Sequence, residues 1–455
     1  MTTPTFSIDR ERLAALRRQE TQRFLDTHPR SVALAAEDAR HYLFGVPLHW
    51  MRDWPTPAAL HVARAEGNRL WCADGHEYID FCLGDTGAMF GHSPAPVARA
   101  IASQAARGLT AMLPSTLTAE VGQRLAACFG LPRWQVTLSA SDANRFVLRW
   151  ARAVTGRAKV LVFDGCYHGT VDDTLVDMDA QQRTVTRASL LGQVHDLALG
   201  TVVVPFNDIE AVERVLAQGD VACVLTEPAL TNCGLVPPLP GFLPALQQAC
   251  RRHGALFVLD ETHTVSSGWG GHARVEGLAP DLMVVGKAIA GGLPCAVYGF
   301  SEAVNARMEA AKRAAPDGHS GIGTTLSANL LAMAALHANL GEVMTPANYA
   351  TMLATAARLE ATLGEVLAEA AAPWTITRLG ARMELQFCAR PPRSAAQARA
   401  AMDEPLEGAL HLWLLNRGIV ITPFHNMLLV APQTAASDIA PLAQALAGFI
   451  AAVRT

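Results

Sequence analysis

Lys287 is the residue of this chain whose type and setting most clearly suggest chemistry. It lies in VVGKAIAGGLP at 284–294, between an apolar run and a pair of glycines. Three lysines occur in all, Lys159, Lys287 and Lys312, so 34 of the 37 basic residues are arginine. Arginine keeps its proton under almost all conditions, whereas a desolvated lysine loses its proton and becomes a nucleophile, as Schiff-base chemistry requires. The alternative is a lysine at a strand end that extends into solvent.

Asp260 is the second candidate, because it follows the apolar run in ALFVLDE at 255–261. A buried carboxylate is costly unless it has a cationic partner, and a pyridinium nitrogen is such a partner. In that role the carboxylate keeps a cofactor ring protonated and able to accept electrons. The alternative is an Asp that caps the following segment, with Glu261 exposed to solvent.

Two short segments could bind the other parts of a phosphorylated ring. In LSASDANRFVLRWAR at 138–152, Ser139 and Ser141 lie at the start of a predicted helix, where free amides can hold a phosphate. An ordinary Ser/Asp helix cap is the alternative. In DGCYHGT at 164–170, Tyr167 or His168 could lie on a flat ring, or both could be ordinary turn residues.

Other chemistries have no support in the sequence. GHSGI at 318–322 lacks the final glycine of a nucleophile elbow, and no GxGxxG motif follows a strand. The histidines lack metal-ligand spacing and the nine cysteines form no CxxC pair, which predicts no metal site and reduced thiols in a cytoplasm.

The charge and hydropathy patterns also disfavour two classes of partner. Acidic and basic residues are mixed, with a net charge of −4, so nucleic acid is not expected. The N-terminus does not resemble a signal peptide, and no apolar run reaches the roughly 18 residues of a membrane span.

The elements that must position these residues alternate along the middle of the chain. Apolar runs at 159–164, 201–206, 221–228, 255–261 and 281–287 are separated by segments with helical periodicity. Such runs are typical of buried strands in a mainly parallel sheet, so an α/β fold is predicted. Ligands of these sheets bind beyond the carboxyl ends of the strands, where Asp164, Glu227, Asp260 and Lys287 fall.

The two ends of the chain have a different pattern, which predicts a second domain. Residues 60–81 indicate a hairpin, and residues 331–455 contain long helices followed by short strands such as ARMELQF. We expect an N-terminal arm with part of a small domain at 1–80, a large cofactor-binding domain at 81–330, and a C-terminal small α+β domain at 331–455.

In order along the chain, SASDAN, YHG, the Glu227-Pro228 pair, LDETHT, PDLMVVGKAIAGGLP and GTTLSANLLAMAA resemble the motifs of the class III aminotransferases. These are fold-type I enzymes that use pyridoxal 5′-phosphate. The resemblance extends from about residue 60 to the C-terminus. RAEGNRLWCADGHEYIDF and the Gly-His at 91–92 are most similar to the branch that holds glutamate-1-semialdehyde aminomutase and β-amino-acid aminotransferases.

The resemblance implies a role for each motif residue. Lys287 would be the internal aldimine lysine and Asp260 the partner of the pyridine nitrogen. The residues assigned to the cofactor are Ser139, Ala140 and Ser141 in a phosphate turn, Tyr167 and Thr262 on the two faces of the ring, His263 near the ring hydroxyl, and His168 and Glu227. Thr325 would reach the phosphate of the neighbouring subunit, since the family's active sites lie at a homodimer interface.

Several positions depart from the family pattern. The usual Gly-Thr-Glu or Gly-Ser-Glu of the phosphate turn is Ala140-Ser141-Asp142 here, so side-chain hydroxyls would contribute more to phosphate binding. Thr262 replaces the usual Val, and His263 stands where relatives often have Gln or Met. A titratable His near the ring hydroxyl could shift the pKa of the imine nitrogen that joins the lysine to the cofactor.

The function implied is a transaminase that moves an amino group from an amino acid or amine to a keto acid or aldehyde. Lys287 would act as general base and acid at the α-carbon. A racemase or epimerase, or an aminomutase, could use the same groups; Thr86 stands where the aminomutase has Trp, which counts against the aminomutase. A cofactor-binding protein without turnover is the alternative of another class.

Four residues are candidates for binding the substrate. A substrate carboxylate is commonly held by arginine, whose planar fork matches two oxygens. The candidates are Arg52, Trp54, Thr86 and Arg382. Arg378 and Arg382 are C-terminal alternatives to Arg52 for this role. The expected partners are therefore small-molecule amino donors and keto acceptors and a second copy of the chain.

Overall fold

The computed structural model describes residues 6–455, which form two compact units. The terminal unit consists of the chain up to Ser93 with Ala350–Pro391 and Ala400–Thr455, and the central unit consists of Pro94–Tyr349 and Pro392–Arg399. The sequence placed the boundaries at 80/81 and 330/331. The first boundary of the structure lies later, after Ser93, because backbone hydrogen bonds of Phe81 with Val420 and Leu429 hold the segment that follows residue 80 in the terminal unit.

The strands of the described residues are short and mostly buried. They are β1 (Val62–Glu66), β2 (Arg69–Cys72), β3 (Glu77–Asp80), β4 (Arg133–Thr137), β5 (Lys159–Phe163), β6 (Val176–Met178), β7 (Thr184–Thr186), β8 (Thr201–Val204), β9 (Val221–Thr226), β10 (Leu256–Asp260), β11 (Leu282–Val285), β12 (Ala296–Phe300), β13 (Thr375–Leu379), β14 (Arg382–Gln386), β15 (Ile419–Val420) and β16 (Met427–Leu429).

The α-helices surround these strands. They are α1 (Arg10–Thr27), α2 (Pro29–Asp38), α3 (Ala95–Ala105), α4 (Thr118–Phe129), α5 (Ala140–Thr155), α6 (Ile209–Leu216), α7 (Phe242–His253), α8 (Gly271–Val275), α9 (Glu302–Ala314), α10 (Leu330–Ala338), α11 (Pro346–Glu369), α12 (Ala395–Ala400), α13 (Glu404–Leu415) and α14 (Ala436–Val453). Helix α10 packs against α3, which places it in the central unit.

The central unit is built on a seven-stranded sheet with the order β4-β12-β11-β10-β9-β5-β8. Strands β8, β5, β9, β10 and β11 run parallel, and β12 runs antiparallel to both β11 and β4. Every residue of β9, β10 and β11 is buried, as expected of strands covered by helices on both faces. The predicted α/β fold with a mainly parallel sheet is confirmed.

Helix α5 shows how the sequence positions the site. Ser139 caps its N-terminus by accepting a hydrogen bond from the Asp142 amide, and Gly156 ends it in the left-handed conformation at φ +69°. Its buried side chains, Phe146 and Val147 among them, lie on the face that packs against the sheet. Asn144 lies on that same face, so its polar side chain is directed into the unit.

The terminal unit contains two small sheets, β1-β2-β3-β15 and β13-β14-β16. Residues 62–80 form the predicted hairpin and add a third strand, while β15 pairs parallel to β3. Its core combines the N-terminal helix α1 with the C-terminal helices α13 and α14. The physical cause of a discontinuous unit is therefore apolar packing between the two ends of the chain.

Helix α14 is, among residues 6–455, the one helix long and apolar enough to cross a membrane by length and composition, where the sequence reading expected none. Phe449, Ile450 and Val453 are buried in the core of the terminal unit. Asp438 in its first turn is also buried and accepts a hydrogen bond from Arg69. These are the contacts of a core helix.

His411 on α13 gives the terminal unit a predictable response to acid. Burial, with the positive neighbours His425 and Arg17, lowers the pKa of His411 to about 3 from its ordinary value of 6.5. Below pH 6.5 His411 binds a proton in the unfolded chain but stays neutral in the folded chain. The free energy of unfolding therefore falls as the pH falls. The loss from this one residue amounts to about 2 kcal/mol between pH 6.5 and pH 5.

We expect His411→Leu to remove this contribution. Chemical denaturation at pH 7.5, 6.5 and 5 would then show a flatter dependence of unfolding free energy on pH than in the unmodified protein. The exposed His41 provides the matched control, His41→Leu, whose pH dependence should be unchanged. Parallel pH curves for the unmodified protein and His411→Leu would contradict the prediction.

Candidate active site

The carboxyl ends of the parallel strands lie at one edge of the central sheet. Strand β10 ends at Asp260, β11 ends two residues before Lys287, and β9 ends just before Glu227. Because these strands are parallel neighbours, the three residues emerge at the same edge, where ligands of such sheets bind. Asp164 follows β5 at this edge, but its carboxylate forms an ion pair with Arg399 at 2.5 Å.

Asp260 is buried, and its carboxylate accepts three hydrogen bonds. His168 Nδ1 at 2.9 Å and Asn144 Nδ2 at 2.8 Å reach Oδ2, and the Thr262 amide at 3.1 Å reaches Oδ1. Three separate segments therefore converge on this one side chain: α5, the loop after β5, and the turn after β10. The sequence predicted Asp260 and His168 but not Asn144, whose only signal is a polar residue on the buried face of a helix.

His168 and Asp260 form a buried ion pair. Burial raises the pKa of Asp260, but hydrogen bonds from His168, Thr262 and Asn144 outweigh burial and hold that pKa below its ordinary value. Burial lowers the pKa of His168, and the carboxylate of Asp260 reverses this and raises it. Asp260 is therefore a carboxylate at neutral pH, and its Oδ1 has capacity to accept a further hydrogen bond.

Lys287 lies in a strained turn directly after β11. Its φ is +45°, a conformation that costs a non-glycine residue about 1 kcal/mol or more and that is concentrated at functional sites. Asn339 holds the turn by donating to the carbonyls of Ala288 at 2.9 Å and Ile289 at 2.7 Å. The Lys287 amine lies 2.9 Å from His263 Nε2.

The two serine hydroxyls of the predicted phosphate turn have different roles: one caps helix α5 and the other contacts a neighbouring loop. Ser139 Oγ accepts from the Asp142 amide at 3.2 Å, which is the ordinary helix cap foreseen as an alternative. Ser141 Oγ accepts from the Thr170 amide at 3.0 Å, and a Cβ on Gly169 would come within 2.1 Å of this oxygen. The turn therefore packs directly against the loop that carries His168.

Ala140 and Thr262 lie next to the lysine turn. A Cβ on Gly286 would come within 2.8 Å of the Ala140 methyl and 3.4 Å of Thr262 Cγ2. The methyl group of Ala140, where the family usually has glycine, thus occupies the space beside Gly286. Any larger residue at position 286 would clash with it. Thr262 Oγ1 is buried and has no hydrogen-bond partner among the described residues.

Tyr167, Glu227 and Thr325 complete the predicted cofactor residues. Tyr167 is partly exposed beside the buried His168, and Glu227 is buried and accepts a hydrogen bond from Thr231 Oγ1. Thr325 is exposed in the segment between α9 and α10. Its contact with a partner's phosphate stays a prediction.

The alternative interpretation of the end of β10, in which Glu261 is exposed to solvent, is wrong. Glu261 is fully buried, and its carboxylate accepts from Thr264 Oγ1 at 2.5 Å and from the amides of His272 at 3.0 Å and Ala273 at 2.6 Å. The reason is that the chain after β10 folds back on itself and presents these donors to it. Glu261 is thus a structural carboxylate that fastens the turn holding Thr262 and His263.

The four predicted substrate residues all belong to the terminal unit. Thr86 and Arg382 are fully buried together, with Arg382 Nη2 donating to Thr86 Oγ1 at 2.5 Å. Arg52 is exposed, lies 3.5 Å from Asp53 and has its guanidinium 4.5 Å from the ring of Phe44. Trp54 packs against a small apolar cluster in the same unit.

Thr86 belongs to an unusual left-handed turn that the sequence did not predict. Leu83, Gly84, Asp85 and Thr86 follow one another with φ of +46°, +58°, +48° and +84°. Asp80 fastens its start by accepting from the amides of Cys82 and Leu83. The buried Arg382 fastens its end through Thr86.

The central-unit residues fit a phosphorylated pyridine aldehyde. Asp260 offers an ionised oxygen for a protonated ring nitrogen, and the N-terminus of α5 with two serines suits a phosphate. The partnerless Thr262 hydroxyl lies beside the lysine turn as a further polar group for such a ligand. Among residues 6–455 no group of three or more His, Cys, Asp or Glu side chains could hold a metal ion.

Comparison with known proteins establishes the family of the chain. The sequence profile described as Aminotransferase class-III matches residues 51–453. A glutamate-1-semialdehyde 2,1-aminomutase of Anaeromyxobacter sp. (strain Fw109-5) is 36% identical over 371 residues, covering 80% of this chain and 83% of that protein.

Two solved structures extend the comparison. A glutamate-1-semialdehyde-aminomutase from Pseudomonas aeruginosa PAO1 is 46% identical with a TM-score of 0.95, covering 98% of this chain and 100% of that chain. A lysine-to-alanine variant of that protein has been crystallised in complex with PMP. A β-phenylalanine aminotransferase from Variovorax paradoxus is 28% identical with a TM-score of 0.85, covering 96% and 97%. The resemblance found in the sequence is thus confirmed: the chain belongs to the class III aminotransferase family, enzymes that use pyridoxal 5′-phosphate.

Proposed function

We propose that this enzyme is an aminotransferase, which moves an amino group from an amino acid or amine to a keto acid or aldehyde. The observation that carries the proposal is the pairing of a lysine and an ionised, buried carboxylate at the ends of adjacent parallel strands. A protein that only bound the cofactor would have no use for Lys287 in a strained turn.

The cofactor, when bound, supplies a ring that can take up negative charge from a neighbouring carbon. Asp260 would hold the ring nitrogen protonated, because its own pKa is kept low by His168, Thr262 and Asn144. Lys287 Nζ, once free and neutral, would remove a proton from the substrate carbon that bears nitrogen and return it to the carbon on the other side of that nitrogen. Ser139, Ser141 and the first amides of α5 would hold the phosphate.

An aminomutase is the second candidate, and a specific observation favours it. The relatives from Anaeromyxobacter and P. aeruginosa are both named as glutamate-1-semialdehyde aminomutases. The same lysine and carboxylate would serve an amino transfer within one molecule. Thr86, which stands where the aminomutase has Trp, favours transfer between two molecules.

The substrate class proposed is an amino acid with a carboxylate. Of the candidate arginines, Arg52 carries an exposed guanidinium, whereas Arg382 is fully buried and donates to Thr86. We therefore place Arg52 first as the carboxylate ligand, with Trp54 beside it, and regard Arg382 with Thr86 as support for the left-handed turn.

A homodimer in the cytoplasm completes the proposal. Leu109, Met112 and Leu113 form an exposed apolar stretch in the central unit, and the Leu331 amide donates to the Leu109 carbonyl. Solvent exposure of three such side chains in one short segment suits a surface that a second copy covers. All nine cysteines are free thiols, which suits a reducing compartment.

The test is a single half-reaction. The purified holoenzyme is mixed with a panel of amino donors in the absence of acceptor, while the visible cofactor absorbance and the released product are followed. Bleaching with a stoichiometric keto acid or aldehyde supports transamination and identifies the donor class. Formation of a positional isomer with no released keto product supports the aminomutase, and loss of stereochemistry alone would replace both with a racemase.

A further inference from the structure

The histidine next to the catalytic lysine has a contact that the resemblance did not foresee. The sequence comparison placed His263 near a hydroxyl of the ring, but its Nε2 lies 2.9 Å from Lys287 Nζ. The side chain of His263 is buried, with 5% of the residue exposed. The hydrogen bond between these two nitrogens is part-buried, with the histidine on its buried side.

The backbone beneath His263 is fixed on several sides. Its carbonyl accepts from both the amide and the hydroxyl of Ser266, the hydroxyl at 2.9 Å. Tyr349 Oη donates to the Val265 carbonyl at 3.0 Å. The buried carboxylate of Glu261 anchors the start of the same turn through Thr264, so His263 stands on a rigid support.

Lys287, by contrast, has a long and flexible side chain. A neutral amine has two N–H bonds and one lone pair, and the lone pair must face the carbon whose proton is to be moved. If one N–H bond is donated to a fixed acceptor, rotation about the last side-chain bonds is restricted and the lone pair is directed away from that acceptor.

We propose that His263 is a positioning residue for Lys287: its Nε2 accepts a hydrogen bond from the free Nζ amine and so directs the lone pair toward the substrate carbon. The inference rests on the proposed function, since it concerns the lysine in its proton-transfer role. It requires the tautomer of His263 that carries its proton on Nδ1. His263 itself takes up no proton in this step.

The chain offers a matched pair of variants for the test. His263→Gln and His263→Met have side chains of almost equal length, but only Gln offers a hydrogen-bond acceptor. We expect His263→Met to lower the rate of the amino-donor half-reaction by about 10–100-fold, the scale of a misplaced catalytic group. The isotope effect with an α-deuterated donor should rise, because proton transfer becomes the slow step, while His263→Gln should stay within about threefold of the unmodified enzyme.

A second readout does not depend on turnover. After removal of the cofactor, pyridoxal 5′-phosphate is added back, and its bond to Lys287 is trapped with borohydride and measured on the Lys287 peptide. The same geometry governs this attack, so His263→Met should slow bond formation about tenfold or more, with His263→Gln close to the unmodified protein. His253→Met, which replaces a histidine paired with Glu213, is the control and should change neither rate.

The outcomes separate the inference from the function on which it rests. Equal rates for His263→Met and His263→Gln in both assays would overturn the positioning role. A loss of melting temperature in His263→Met with unchanged isotope effect and trapping rate would likewise overturn it in favour of a purely structural histidine. If no donor reacts with the unmodified enzyme, the proposed function fails, and the trapping assay still decides whether His263 directs Lys287.

Discussion

Replacing Lys287 by alanine should lower the rate of amino transfer by about 10³-fold or more, because the chain loses the residue proposed as both nucleophile and proton carrier. The effect is expected in the half-reaction with an amino donor, measured by rapid mixing with the cofactor chromophore as the signal. The folded structure should be retained, since the left-handed turn at 287 is held by Asn339 through backbone carbonyls that alanine keeps.

The other lysines provide the controls for this variant. Lys312 is exposed on α9 and Lys159 is paired with Asp220 at 2.8 Å, so Lys312→Ala and Lys159→Ala should leave the rate within about twofold. A small primary amine added to Lys287→Ala should restore part of the activity by replacing the missing base. Retention of a tenth or more of the rate without added amine would contradict the assignment of Lys287.

Asp260→Asn should have the second largest effect, with a rate loss of about 10²-fold or more and a measurable loss of stability. The rate falls because a neutral amide does not hold a ring nitrogen protonated. Stability falls because donors contact both oxygens of Asp260: His168 and Asn144 on one, the Thr262 amide on the other. Either orientation of the Asn side chain sets an amide N–H₂ group against an N–H donor, which costs about 1–3 kcal/mol.

Asp281→Asn is the matched control. Asp281 is a half-buried carboxylate at the opposite edge of the sheet, where it accepts from the Phe257 amide at 2.9 Å, and burial raises its pKa. The half-reaction rate should be unaffected there, even if the unfolding free energy changes. Were Asp260→Asn to react with a donor as fast as Asp281→Asn, Asp260 would not be the partner of the ring nitrogen.

The elements of the fold that could be predicted are those with a recognisable local pattern of apolar residues in the sequence. Five strands of the central sheet are continuous apolar runs, and their polar ends mark Asp260 and Lys287. Strand β4 was missed because its residues alternate between exposed and less exposed, as on a sheet edge, and β12 because a short run such as AVYGF has no distinctive period.

The partners of the site residues could not be predicted, because they are distant in sequence. Asn144 and Asp260 are 116 residues apart, and Thr86 and Arg382 are 296 residues apart. No local pattern reveals that a polar residue on a helix will meet a particular carboxylate. The same holds for Glu261, whose burial depends on amides supplied 11 and 12 residues later by a chain that folds back.

Because the terminal unit is built from both ends of the chain, its core cannot form until the C-terminal segment has been synthesised. Leu13 and Leu16 of α1 belong to one apolar core with residues 356–453, yet the whole segment 94–349 is synthesised between them. At about 5–20 residues per second, those residues take roughly 13–50 s to appear. Throughout that interval the nascent N-terminal helix exposes an apolar face whose partners have not yet been synthesised. We therefore expect the yield of folded enzyme in cells to depend more on chaperones that shield such surfaces than on the stability of the finished enzyme.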